Sequence, residues 1–388
     1  MAKTTESACR IGTGLSTGPS AADAVREAAG QAADRRRSVD LAFLFLSPEH
    51  ADAVEDATAA VHDALNPSHL VGCVAEGVIG GGREIEAGPA AAVWAARLPG
   101  AELEPFHAVA VDTGHGTVVA GFPSDEAALV TMVADPATFP AASFLARLSD
   151  HRPGLPVIGG MAVGGDGAQA AALMLEDEVH DEGAVGVAIG GVPVVTLVSQ
   201  GCAPFGREAV VTKADGNIVY ELAGERALSR LRTDLAKLSP KEQQLASSGI
   251  LAGVVIDENR AEYGRGDFLM RAVLGADESS GAIAVGDHVR VGQTLRFHIR
   301  DGRTADDDLR ETLASGLAGA SPAGALLFSC NGRGTQMFTE PDHDAGLVAD
   351  AVDGAVAGFF CGGEIGPVGG QSFVHAFTAT LAVFLQPS

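Results

Sequence analysis

Two corners near the C-terminus carry residue types that could do chemistry. Ser329-Cys330-Asn331-Gly332-Arg333-Gly334 follows directly on the apolar run Ala325-Leu326-Leu327-Phe328. It should therefore leave a buried strand at its C-terminal end, where α/β folds commonly place ligands. The glycines let the backbone turn sharply and expose N–H groups, and the Arg333 guanidinium offers a planar fork for a carboxylate or phosphate. The partner corner, Cys361-Gly362-Gly363-Glu364-Ile365-Gly366-Pro367, is followed by Gly369-Gly370 and His375. Its glycines permit close backbone approach, and Glu364 can receive an amine or hydroxyl. Together the corners suit an amino acid or a similar zwitterion. Two structural readings stand beside this one: Arg333 tying its loop to a carboxylate such as Glu364, and Glu364 capping the N–H groups of a turn. Cys330 and Cys361 beside His375 also raise a thiolate nucleophile, although no spacing signature supports it and cysteine is commonly a buried apolar residue.

The elements that must position these corners are written more than once. In the first half, the apolar run Leu41–Leu46 with Ser47, a helical segment to Leu65, Val71-Gly72-Cys73-Val74-Ala75-Glu76-Gly77, Gly80–Gly82 and Ala90–Leu98 follow one another. The same order returns as Ala325–Cys330, a helical segment at Ala345–Val352, Gly358–Gly366, Gly369-Gly370 and Ala376–Leu385, with a fainter echo at Ile158–Leu175. Such self-similarity predicts repeated structural units. We read the fold as α/β, with layered mixed sheets, flanking helices and two related halves from an internal duplication. Arg10–Ser16 reads as a first strand. Ser20 opens an alanine-rich helix to about Asp34, closed by Arg35-Arg36-Arg37. Ala127–Ala134 reads as a strand or short helix, and the acidic string Glu176–Glu182 as a solvated loop. Ala184–Gly201 reads as two buried strands joined at Gly190-Gly191 rather than a membrane span. Glu225–Ser248 reads as helical, with Leu228, Leu231, Leu235, Leu238 and Leu245 on one face. This places the boundary between two domains, 1–224 and 225–388.

Composition narrows the function. The 388 residues are 46% hydrophobic and 20% charged, with a formal net charge of −24. That surface repels nucleic-acid phosphates and anionic lipid, so neither is expected as a partner. Five cysteines, Cys9, Cys73, Cys202, Cys330 and Cys361, are an odd, scattered set that suits a reduced, cytoplasmic setting. The N-terminus shows no signal-peptide pattern. The 11 histidines form no metal-ligand spacing, and Gly12-x-Gly14-x-x-x-Gly18 is a poor dinucleotide fingerprint. No metal and no catalytic residue are expected.

The ordered set Phe43-Leu-Phe-Leu-Ser47, Gly72-Cys-x-x-Glu-Gly77, Phe268-Leu-Met-Arg271, Gly292-Gln-x-Leu-Arg-Phe297, Phe328-Ser-Cys-Asn-Gly-Arg-Gly334 and Gly358-Phe-x-x-x-Gly-Glu-Ile-Gly-Pro367, with His375 and Thr378, resembles the FIST family over almost the whole chain. The resemblance implies an N-terminal and a C-terminal FIST domain and a sensory, ligand-binding role in signal transduction, with amino acids as proposed ligands. Carried onto matching positions, it points to Cys330, Asn331, Arg333, Gly334, Gly363, Glu364 and His375, with Cys73 and Glu76 as the corresponding first-half corner and Arg271 as a further charged residue. It also implies an output through a separate protein partner. Three alternatives remain beside ligand sensing: a haem-binding gas sensor, which needs a histidine or cysteine at an apolar slot; a scaffold without ligand; and an enzyme using Cys330 with His375.

Overall fold

The computed structural model describes residues 8–33, 38–114, 116–123, 127–164 and 172–387. In chain order, β1 (Arg10–Ser16), α1 (Ala21–Ala32), β2 (Leu41–Leu46), α2 (Val54–Leu65) and β3 (His69–Val74) lead to the hairpin β4 (Val78–Gly80) and β5 (Arg83–Ile85), then β6 (Ala91–Arg97). Next come β7 (Glu102–Asp112), β8 (Thr117–Ala120), β9 (Leu129–Ala134), α3 (Ala141–His151) and β10 (Val157–Met161), the hairpin β11 (Leu173–Leu175) and β12 (Glu178–His180), and β13 (Ala184–Gly190). After β14 (Val194–Gln200) the chain forms β15 (Cys202–Asp215), β16 (Ile218–Leu222), β17 (Glu225–Arg226), α4 (Ala227–Leu235), α5 (Pro240–Ser247), β18 (Ile250–Val255), β19 (Phe268–Asp277), β20 (Ala282–Val285) and β21 (Thr294–Arg300). It ends with α6 (Gly302–Gly316), β22 (Pro322–Cys330), α7 (His343–Ala351), β23 (Val356–Cys361), the hairpin β24 (Glu364–Val368) and β25 (Gln371–His375), and β26 (Thr378–Leu385).

Two compact units result, one of Met1–Val198, Leu309–Val374 and Thr378–Ser388, the other of Ser199–Asp308 and His375–Phe377. The first is built on three mixed sheets: β1-β6-β2-β3-β11-β12, β8-β7-β13-β9-β10-β24-β25 and β14-β26-β22-β23-β4-β5. Each contains a strand, a helix and a parallel partner, namely β2–α2–β3, β9–α3–β10 and β22–α7–β23. An antiparallel strand lies on the other flank of the first strand: β6, β13 or β26. The hairpin after each parallel partner crosses to another sheet. The β4 hairpin joins β23, β24 joins β10 and β11 joins β3, so the exchange runs in a closed cycle.

A shared glycine marks the common frame. Gly72, Gly159 and Gly358 stand opposite Leu44, Met132 and Leu327 in the parallel pairs. A Cβ at these glycines would lie 2.3, 1.8 and 1.6 Å from the carbonyl oxygen of that partner, so the strand pairs admit no side chain there. The two-half expectation is thus corrected, because the strand order recurs three times within this unit. Alternation along the strands sends Phe43, Phe45, Trp94, Ile158, Phe328, Phe359 and Phe384 into one core shared by all three sheets. Ala42, Leu44 and Leu46 turn to α1 and α2, Leu327 and Leu381 meet α6 and α7, and Val130 and Met132 meet α3.

In the second unit β15, β21, β18, β19, β20 and β16 close a barrel through the β15–β16 pairing, with β17 beside β16. The single long helix expected at Glu225–Ser248 is two. Ser239 caps α5 in a reciprocal box with Glu242, with Pro240 in its first turn, and this restarts the helix. Part of the acidic string is not loop but the β11–β12 hairpin, with Glu176 in left-handed backbone within its turn. Ala127–Ala134 resolves to the strand β9, buried throughout. The Arg35–Arg37 helix end and part of the Ile158–Leu175 echo lie outside the described residues.

Gly358→Ala forces a methyl against the Leu327 carbonyl and is expected to cost about 1–3 kcal/mol in urea unfolding. Gly346→Ala within α7 meets nothing within 4 Å and should instead stabilise by about 0.4–1 kcal/mol. Equal effects from the two would contradict the close-approach argument.

Candidate functional site

The third repeat departs from the common frame at two core positions. Two residues beyond the strand partner of the shared glycine stand Leu46 in β2, Ala134 in β9 and Ser329 in β22. One residue beyond the glycine, the visiting hairpin places Leu173 opposite Cys73, Val78 opposite Phe359 and Glu364 opposite Gly160. Ser329 and Glu364 are both 0% exposed, so two aliphatic sites have become buried polar ones.

Around them lies a network of charges. The Arg333 side chain is fully buried; Nε donates to Asp344 Oδ2 at 2.6 Å and Nη2 to Oδ1 at 2.9 Å. Ser329 Oγ donates to Asp344 Oδ2 at 2.9 Å, and His343 Nδ1 lies 3.0 Å from Oδ1. Phe338 stacks on His343 and lies under the guanidinium. Glu84, on β5, fastens the start of α7: its Oε1 accepts from Ala345 N at 2.9 Å, and its own N–H donates to Asp342 Oδ1 at 2.7 Å. Glu364 Oε2 accepts from Thr378 N at 3.0 Å and Thr378 Oγ1 at 2.8 Å, with the Cys330 thiol beside the carboxyl. Three buried atoms, Arg333 Nη1, Glu84 Oε2 and Glu364 Oε1, have no hydrogen-bond partner.

Burial pushes the Glu364 carboxyl up to about 7 against the opposing Thr378 hydrogen bonds. Burial, then the nearby Asp344 charge, lifts Glu84 to about 7 as well. Burial would also raise Asp344, but the Arg333 charge and hydrogen bonds outweigh it and hold this carboxyl well below the usual range. The Cys361 thiol is driven up by burial and then by Glu364, and burial does the same to Cys73, so both remain protonated thiols.

Above this network opens a cleft of about 70 Å³ lined by Glu76, Gly77, Glu86, Asn331, Gln336 and Phe360. Asn331 Nδ2 donates to Glu76 Oε2 at 2.9 Å. Thr335 N and Oγ1 hold Glu86 at 2.8 and 2.9 Å. Gly334 makes this contact possible, because it is left-handed at φ +53° and a Cβ would stand 2.7 Å from the Glu86 carboxylate.

The fold therefore brings Cys330, Asn331, Arg333, Gly334 and Glu364 together with Glu76 from the first repeat. Gly363 accepts from Met161 N at 2.8 Å, and Cys73 is buried within the electrostatic reach of Cys361. His375 and Arg271 belong to the other compact unit, where Arg271 Nε donates to Asp287 Oδ2 at 2.7 Å. Of the two readings of Arg333, the structure shows the one in which it ties its loop to a carboxylate, and that carboxylate is Asp344 rather than Glu364. Sequence reasoning passed over Asp344, Glu84, Glu86 and Gln336, and it gave Ser329 and Thr378 only as members of motifs, with no role at the site. An acid in the first turn of α7 was a signal for Asp344, since helix N-termini favour one, but its burial was not visible. Nothing local announces that Glu84 is buried.

These features define an α/β protein of three hairpin-exchanging sheets with a buried charged corner at the ends of β22 and β23. The chain belongs to the FIST family: the FIST N domain matches residues 40–225 and the FIST C domain residues 227–367. FIST domains are generally regarded as sensory domains of signal transduction. The chain is 43% identical to an uncharacterized protein of Mycobacterium tuberculosis over 384 residues, covering 97% of this chain and 100% of that one. It is 42% identical to an uncharacterized protein of Mycobacterium bovis, covering 97% and 99%. No described helix is long and apolar enough to cross a membrane.

Removing one member of the buried pair, as in Asp344→Asn, is expected to cost about 3–5 kcal/mol, whereas Asp344→Asn with Arg333→Met should cost less than the sum of the single changes. A double-mutant cycle in urea reads this directly. The raised carboxyls predict a pH dependence of definite sign. Glu364 keeps its proton in the fold while the unfolded chain has lost it, so stability falls as pH rises from about 4.5 to 7. Asp344 acts oppositely, its stabilisation being lost as pH falls below the ordinary carboxylate range. Glu364→Gln should flatten the decline between pH 4.5 and 7; an unchanged slope in denaturation series would contradict the assignment.

Proposed function

We propose that this protein is a small-ligand-binding sensor, not an enzyme, and that its ligand is an amino acid or related small amine held at the Asn331 cleft. The observation that carries the reading is the placement of this cleft at the C-terminal ends of β22 and β23, in the one repeat where aliphatic core positions have become Ser329 and Glu364. The charge of the lining sets the orientation. Its charged residues are Glu76 and Glu86, while Arg333 is occupied by Asp344. An ammonium group faces the two carboxylates, and the second N–H of Asn331 with the amide of Gln336 serves a carboxylate or carbonyl. At about 30 Å³ per water, a cleft of about 70 Å³ takes about two waters, which limits the ligand to the smallest amines and amino acids. The structural consequence of binding passes through Asn331 to the strand end at Cys330 and from there to a protein partner.

Thermal unfolding against glycine, alanine, ethylamine and acetate tests this. A bound ligand at about 100 times its dissociation constant adds about 2.7 kcal/mol, so amino acids and ethylamine should raise the melting temperature and acetate should not. Asn331→Ala and Glu76→Gln should abolish the shift. A response to acetate alone, or one that survives both substitutions, would rule out the amine-facing site.

A further inference from the structure

The barrel unit contains a second cavity, of about 530 Å³, between a bulge of β15 and the C-terminal half of α4. The pairing of β15 with β21 slips between Phe205 and Ala209. Within that bulge Gly206 is left-handed at φ +64°, and a Cβ there would stand 2.4 Å from Asp234 Oδ2. The bulge is therefore fitted around Asp234, which is only 4% exposed. Lys237 Nζ donates to Asp234 Oδ1 at 2.7 Å, and Arg230 Nε lies 3.8 Å from Oδ2, an atom with no hydrogen-bond partner. Arg230 Nη2 reaches the Arg207 carbonyl at 3.4 Å. A buried acid and a bulge carbonyl thus fix two cations at the cavity wall, and Arg207 supplies a third. This is a local reversal in a chain with 26 basic against 50 acidic residues. Glu225 lines the same cavity.

We propose that this cavity binds a small phosphorylated polyol. Asp234 and Glu225 offset two of the three cations, which leaves a net charge of +1 in the cavity, set on the two arginines and Lys237, to face a phosphate monoester of about −1.5 to −2 at pH 7. The arginine forks match phosphate oxygens, and Glu225 accepts hydrogen bonds from the polyol hydroxyls. Bulges commonly re-aim side chains beside functional sites, and the cavity lies within the usual range of about 300–1,000 Å³ for small-molecule sites.

Calorimetric titration of the full chain with glycerol 3-phosphate, inorganic phosphate and glycerol provides the test. Saturable binding of glycerol 3-phosphate is expected, weakening with salt and falling about tenfold (about 1.4 kcal/mol) in Arg207→Ala and in Lys237→Ala. Both of those side chains are exposed; Lys237→Ala also removes a hydrogen bond from the buried Asp234, so its unfolding is measured alongside, and Arg207→Ala is the variant that leaves Asp234 untouched. Glu225→Gln should remove the preference over inorganic phosphate. The proposal is overturned by no saturable heat, by equal binding in all variants, or by inorganic phosphate binding the unaltered chain as tightly as the monoester.

Discussion

The Arg333–Asp344 pair puts two full charges where neither reaches solvent, and much of the C-terminal architecture serves to keep that arrangement tolerable. Taking an ion out of water costs several kcal/mol even after relaxation, and the attraction between partners offsets this only when the geometry is bidentate and the remaining lone pairs are occupied. Both conditions hold on the carboxylate side, while Arg333 Nη1 is left without a partner. Two guanidinium nitrogens meet two carboxylate oxygens, and Ser329 and His343 complete the carboxylate. Because the participants come from β22, the loop after it and α7, the pair fixes a strand, a loop and a helix start as one body. Glu84 extends that body to a hairpin supplied by the first repeat.

The repeating frame makes the polarity of this corner meaningful. In the other two repeats, Leu46 and Ala134 stand where Ser329 stands, and Val78 and Leu173 stand where Glu364 stands. The backbone accepts either chemistry, so nothing in strand pairing requires the polar choice. Burying a serine and a glutamate in a core that works elsewhere with aliphatic residues sacrifices packing and strands hydrogen-bonding atoms, of which Glu364 Oε1 is one. Such local inconsistency is characteristic of functional sites.

The same accounting of charge decides what the cleft can recognise. A guanidinium in a glycine-rich corner invites a carboxylate ligand, but Arg333 is spent on structure and what faces the cleft is acidic. The cation that looked available is internal, and the acids Glu76 and Glu86 converge from a distant part of the chain.

What the sequence by itself determined was local. The continuous apolar runs around Phe43, Phe328 and Phe359 define buried strands, the glycine corners follow strand ends, and the motif set identifies the FIST family, because strand periodicity, turn chemistry and motif order are written in neighbouring residues. The sequence carries the third copy only as a faint echo at Ile158–Leu175, and tertiary structure decided that it is a full repeat, since Gly159 takes the same place opposite Met132 that Gly72 and Gly358 take opposite their partners. Tertiary structure also decided that Arg333 pairs with Asp344 rather than Glu364, and that Glu84 and Glu86 belong to the corner. These outcomes depend on a hairpin crossing from one sheet to the next and bringing together residues up to 261 positions apart, a separation that no local pattern encodes.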